Sequence, residues 1–468
     1  MGLHACARPR AGNARPCSSA RDGARVHCAE PRGGSPPHSR RQSAPCAEPR
    51  GGSLTHAGSQ APDHVPGALA VGEHRATACR RLLVWVTQVQ QSWETQGIGA
   101  MRATVLLLLL MLRCADARTV SLRNDVPRRD VNGHIIDCHS GMILKHGSTY
   151  FMYGEHCGNG TGFGPSPPTI VNIVVYTSPD LLAWTPRGNA LSNWSTAPYG
   201  TFFTPWTVYN PLTKRFVMWF NAYLHGCCAG GWGVATSADG ITFDILSLNE
   251  TGKYGVVDCN GLFVDDDGTG YMVYTSEAED HKVSIEKLTP DFAHLAGVNY
   301  GLFPDRYVEG PVLFKHGATY YVGYGSCCCF CRAGTGWVVY SAPGIAGPWT
   351  RQSLDVNCNL TTPGEICGAY GDRTTGGITV PAQGIGMSRI PLAGGGEALI
   401  WHGERWLSAA NNNPNCPDEC RPETGICAEP QSYIKGEGFA YWIPLAFDAA
   451  GAVLPFAEFV GSFDLDVA

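Results

Sequence analysis

From residue 118 onward the hydrophobic positions come in short runs, four to eight residues long, cut by glycine, proline, asparagine and aspartate. That pattern belongs to β-strands and tight turns, and no stretch carries helical periodicity of any length. Residues 143–154 (ILKHGSTYFMYG) nearly repeat residues 313–324 (LFKHGATYYVGY). Two further strand–turn–strand units lie between them, at 207–219 and 261–274, and another follows at 386–401. Each hairpin is followed by a third strand with a polar close, as in 173–180 (IVVYTSPD) and 338–343 (VVYSAP). Short Trp- or Phe-led strands then end several units, at Trp184, Phe243 and Trp349. Four strands per repeat and five repeats predict an all-β, five-bladed β-propeller. In that architecture the innermost strand of each blade lines a central axis. The residues at the mouths of those strands are then Ser140, Phe203–Thr204, Asp258, Glu309 and Gln383. Glu309 is expected just before an apolar strand at 312–314, with Pro311 at the strand's first position, where a missing N–H does no harm.

Composition divides the chain. Residues 1–100 are rich in Arg, Ala, Pro, Gly and Ser, and CAEPRGGS occurs at 28–35 and again at 46–53. Such a stretch cannot pack a core, and it reads as a disordered leader or a gene-model extension. Residues 101–117 have a basic start, an apolar run from Val105 to Leu112 and a small-x-small end at Ala115 and Ala117. These are the marks of a secretory signal, too short to span a bilayer. The domain is therefore expected at 118–468, in a secreted, extracellular protein. Net charge is −6 and pI about 6.2, which argues against nucleic acid or an anionic membrane as partner.

Six of the 20 cysteines precede Ala117 and fourteen follow it, clustered at 227–228, 327–331 and 416–427. Behind a secretory signal they predict disulfide-rich loop insertions, near 353–380 and 410–435. Cys416 and Cys420 have the look of a metal pair, but no His or Cys pair follows at zinc spacing. No metal or cofactor is expected. Asn159, Asn193, Asn249 and Asn359 begin N-glycosylation sequons.

A funnel ringed by two acids and an amide, with tryptophans nearby, suits a sugar. Residues 130–145, the Tyr153-Gly154-Glu155 triplet, residues 261–268, the Glu309-Gly310-Pro311 triplet and residues 403–406 together resemble glycoside hydrolase family 43. The resemblance is greatest to its galactan exo-1,3-β-galactosidase branch and runs from Asp130 to the chain end. It implies an inverting glycosidase acting on a polysaccharide or oligosaccharide, with terminal β-galactosyl or related sugars as substrates. In that scheme Glu309 is the general acid, Asp258 tunes its pKa and Gln383 positions the water. Asp258 lies one residue further from its strand than the family pattern has it. The family's usual aspartate base falls at Ser140, and the branch's second-blade glutamate is replaced at Phe203–Thr204. Asp137 and Glu155 are spare carboxylates near the opening. His139, Glu155, Trp206, Trp232 and Trp337 are candidate sugar contacts, the tryptophans by stacking on a pyranose face. A monomer is expected. The competing reading is a catalytically inactive propeller that binds glycans.

Overall fold

The computed structural model describes residues 118–157, 172–192, 199–224, 230–255, 257–327, 334–358, 377–406 and 438–468. The leader, the signal segment and most of both cysteine-rich insertions lie outside them.

Strands account for nearly all regular structure, and the sheets are those of a five-bladed β-propeller. Blade one contains His139–His146, Thr149–His156, Asn172–Ser178 and Thr185–Asn189. Blade two contains Tyr199–Asn210, Arg215–Leu224, Gly230–Ser237 and Asp244–Glu250. Blade three contains Val257–Val264, Gly270–Ser276, Lys282–Leu288 and Leu295–Leu302. Blade four contains Val308–His316, Thr319–Ser326, Trp337–Ala342 and the two-residue Thr350–Arg351. Blade five shows three strands among the described residues, Gln383–Pro391, Glu397–Arg405 and Phe439–Pro444. Every blade is antiparallel in sequence order, as short hairpins require.

The five inner strands pack each against the next, and the fifth against the first, which closes the ring. Blade five is tied to blade one by the Ser388 hydroxyl, which accepts the Ile143 N–H at 2.7 Å. The outermost elements close it again: Arg118–Arg123 pairs with Ser462–Val467, joining the first described strand to the last. Asn124 anchors that pair to blade five, donating to the Trp442 carbonyl and accepting the Trp442 N–H.

Between blades the core is aromatic. Trp219, Trp232, Trp337 and Trp401 are wholly buried in one continuous apolar cluster. Large rigid side chains fill the widening space between blades at low entropic cost, which is why the sequence is rich in them. Among the described residues no helix is long and apolar enough to cross a membrane. Cys327 and Cys358 are disulfide-bonded. Cys138 is a buried thiol, so pairing does not extend to every cysteine after residue 117.

Candidate active site

The inner strands of all five blades are broken near one end by a register shift, and this decides where the polar residues point. In blade four the shift falls between Glu309 and Val312, so Gly310 and Pro311 are left out of the ladder. Glu309 is thus inside the strand, not before it, and Pro311 is accommodated by the bulge rather than by a strand start. Blades one and two have the same device, between His139 and Met142 and between Phe203 and Trp206. Ser140, Thr204 and Gly310 share the left-handed conformation there, with φ of 50°, 46° and 61°. By register, then, the counterparts of Glu309 are His139 and Phe203. Ser140 corresponds to Gly310, a one-residue correction to the alignment read from sequence.

Gly310 is needed for a second reason. A Cβ on it would lie 2.2 Å from the Gly384 carbonyl oxygen, so blades four and five approach backbone to backbone at this point. That approach brings Gln383 to Glu309. The Gln383 amide donates to Glu309 Oε2 at 3.0 Å, and Trp406 Nε1 donates to Gln383 Oε1 at 2.7 Å. Both Glu309 and Gln383 are almost fully buried, at 2% and 3% exposure. A primary amide has two N–H groups and two lone pairs, so Gln383 keeps one of each beyond these bonds.

Asp258 sits on the third inner strand, in the irregular stretch between Val257 and Asn260. Its Oδ1 accepts the Tyr223 hydroxyl at 3.0 Å, and Tyr223 is also 3.2 Å from Glu277 Oε1. One hydroxyl proton cannot serve two carboxylates at once. Accordingly, burial and the Asp258 charge push Glu277 up to about 7, against the lowering effect of the Tyr223 contact. His281 stands between the acids: its Nδ1 is 3.9 Å from Asp258 Oδ2, and a ring nitrogen lies within 4.8 Å of a Glu309 oxygen. Burial lowers the His281 pKa, which Asp258 partly offsets.

On the other side of the ring, blades five and one share a charged cluster. Glu404 accepts the Ser140 N–H at 2.9 Å and faces His139 Nδ1 at 3.1 Å. Asp137 Oδ1 is 3.3 Å from His139 Nε2, and its Oδ2 is 3.1 Å from His156 Nδ1. Burial alone would push the His139 imidazole down, but the Glu404 and Asp137 carboxylates more than reverse it, to about 10. Asp137 is held low by His139, His156 and the Cys157 N–H despite a larger opposing effect of burial on any single count. Glu155 is buried beside them, with Ser140 Oγ 3.4 Å from its Oε1.

Buried carboxylates and an amide converging at one end of a propeller axis suit a sugar hydrolase, and the sequence comparison points the same way. Residues 138–359 match the family model for Glycosyl hydrolases family 43. Over that stretch, just under half of its length, the chain is similar to family 43 glycosyl hydrolases. The match takes in the first four blades of the ring. Among solved structures, the domain resembles an exo-β-1,3-galactanase from Clostridium thermocellum (21% identity, TM-score 0.57, 74% of this chain and 67% of that one). It also resembles an exo-β-1,3-galactanase variant from Phanerochaete chrysosporium with β-1,3-galactotriose (22%, TM-score 0.53, 72% and 67%). A third likeness is to a family 43 β-1,3-galactosidase with galactodeoxynojirimycin (22%, TM-score 0.53, 73% and 99%). At these identities the structural likeness speaks to the fold. No curated protein matches the chain.

The structure brings Glu309 and Gln383 into contact, and His281 links Asp258 toward them. The tryptophans fall elsewhere. Trp232 packs edge-on against Trp219 and Tyr274, at 5.9 and 4.9 Å between centroids. Trp337 lies against Phe314 and Trp401, at 6.4 and 6.1 Å. Trp206 is buried in the same core. None of the three offers a free face to a pyranose, because the inter-blade space claims them. Trp406, which the sequence reading passed over as a site residue, is the tryptophan that reaches the site. Glu404, Glu277, Tyr223 and His281 were also missed. The signal for Glu404 was present: in an apolar second strand (residues 397–405), it is the carboxylate opposite Gln383, as Glu155 is opposite His139.

Proposed function

We propose that this chain is a secreted exo-acting glycosidase that removes terminal β-galactosyl or closely related residues from a polysaccharide, with inversion. The observation that carries this is the 3.0 Å contact between Gln383 and Glu309 at the mouth of the ring. Glu309 is the carboxyl that protonates the departing glycosidic oxygen. Gln383, its amide turned by Trp406, uses its remaining N–H and lone pair to hold the attacking water. Asp258 acts on Glu309 through the intervening His281 and sets the charge around it. The inner strands of blades one and two carry no carboxylate at the position of Glu309, where His139 and Phe203 are found. Water attack in this scheme therefore leans on positioning rather than on a strong base, and turnover is expected to be slow.

Incubating the chain with β-1,3-galactotriose and following the first released sugar by proton NMR tests the reading. Galactose appearing first as the α-anomer supports an inverting exo-glycosidase. The β-anomer appearing first overturns inversion. Saturable binding of the trisaccharide with no hydrolysis after prolonged incubation would favour the glycan-binding reading, which the missing base favours.

A further inference from the structure

The proposed hydrolysis uses none of Asp137, His139 and Cys157, although the His139 ring lies 6.3 Å from that of Trp406. They come from the two ends of one hairpin. His139 faces Glu155 across the ladder, and Asp137 and Cys157 lie just beyond the ends of the two strands, two residues from His139 and Glu155. The Cys157 N–H donates to Asp137 Oδ1 at 2.9 Å, which ties the two strand ends together and brings the three groups to one place. One oxygen, one ring nitrogen and the sulfur all lie within 4.8 Å of one another. His139 is 1% exposed, and its Nε2, although 3.3 Å from Asp137, makes no aligned hydrogen bond. Its other nitrogen faces Glu404 at 3.1 Å. A histidine held through one nitrogen by a carboxylate, with the other aimed at an oxygen and a sulfur, is the usual setting of a metal-bound imidazole.

We propose that Asp137, His139 and Cys157 form a three-ligand site for a zinc ion, with Glu404 as the positioning residue that fixes the His139 tautomer. One oxygen, one nitrogen and one sulfur ligand suit zinc at distances of about 2.0–2.3 Å, with a fourth position open to water. The ion takes the place of the proton on Nε2 and of the thiol proton, while Nδ1–H continues to donate to Glu404. His156, on the second oxygen of Asp137, supports that carboxylate from outside. The other grouping of this kind, His281, Glu309 and Cys327, is different, because the Cys327 sulfur is in a disulfide and has no thiolate to offer.

The test is metal titration of the purified chain after chelator treatment, using zinc chloride and then cobalt chloride. The site predicts one equivalent of zinc bound at micromolar or lower concentration. It also predicts a cobalt form with a thiolate-to-metal charge-transfer band and the strong visible bands of a tetrahedral ion. Cys157→Ser should abolish the charge-transfer band, Asp137→Asn should weaken zinc at least tenfold, and Glu404→Gln should weaken it by about 10–100-fold. Failure of the wild type to bind stoichiometrically, or a cobalt spectrum without the sulfur band, overturns the proposal. So does a Cys157→Ser chain that binds as tightly as wild type. None of these readouts depends on glycan hydrolysis.

Discussion

Tyr223 lies between two carboxylates, Asp258 and Glu277, and can satisfy only one as a donor. With Glu277 raised to about 7, it is protonated below that pH, and the Tyr223 hydroxyl can then donate to Asp258. An acid whose folded pKa is raised contributes stability that is complete below its unfolded value, 4.5, and is lost as pH rises through about 7. Glu277→Gln should therefore change unfolding free energy little near pH 5. Near pH 8 it should stabilise by about 1 kcal/mol, after discounting for partial exposure. Urea melts at the two pH values check this, and an equal effect at both contradicts it. His139 gives the same sign over a higher window. Its raised pKa means stability present below 6.5 and lost as pH climbs toward about 10, so metal-free protein should weaken steadily above neutrality while His139→Gln should not follow that slope. At this scale the sequence was partly legible. Glu309 and Gln383 could be found because each follows a turn and opens an apolar strand. Glu277, Tyr223 and His281 could not, because their roles come from neighbours far away in sequence.

The bulge is the element that makes the site. It turns Glu309 out of the regular alternation and, by its left-handed residue, lets adjacent inner strands touch. Gly310→Ala would place a Cβ 2.2 Å from the Gly384 carbonyl and force a left-handed alanine. We expect a loss of at least about 2 kcal/mol in unfolding free energy, together with displacement of Glu309 from Gln383. A normal melt with normal activity would show that the contact between blades four and five is dispensable. The hairpin repeat gave away the blades, since Lys-His-Gly turns recur at equivalent places, with φ of 57° and 59° at Gly147 and Gly317. The bulges were hidden, because nothing in a period-2 pattern marks where a ladder skips two residues. The same blindness placed tryptophans at the funnel, where packing between blades takes them instead.

For the molecule as a whole, pairing of the strand at Arg118–Arg123 with the strand at Ser462–Val467 closes the ring a second time. Arg118 is also the first residue after the expected signal cleavage, so a processed chain would begin with the strand that fastens the ring. Expression from Met101 in a secreting eukaryotic host should yield an N-terminus at or near Arg118 by mass spectrometry. Peptides from residues 1–100 in secreted material would contradict it. Of the glycosylation sequons, Asn249 is exposed on a strand of blade two, and the others lie outside the described residues. Disulfides are expected to hold the cysteine-rich insertions, beyond the bonded Cys327 and Cys358. Reduction should lower the melting temperature, each lost bridge costing about 2–5 kcal/mol. An unchanged melt in reductant would refute this. The five-bladed plan was legible from repeat spacing alone, whereas the joining of the two ends was not, because no periodic signal links residues more than three hundred positions apart.

The central claim is that Glu309 delivers the proton to the leaving oxygen, and comparing Glu309→Gln with wild type on two substrates tests it most directly. On β-1,3-galactotriose, whose leaving group must be protonated, the variant should lose about 10²–10⁴-fold in kcat/KM. On an activated aryl β-galactoside, whose leaving group departs unaided, the loss should be much smaller, while Gln383→Ala should slow both. A Glu309→Gln chain that hydrolyses galactotriose as fast as wild type would contradict the account.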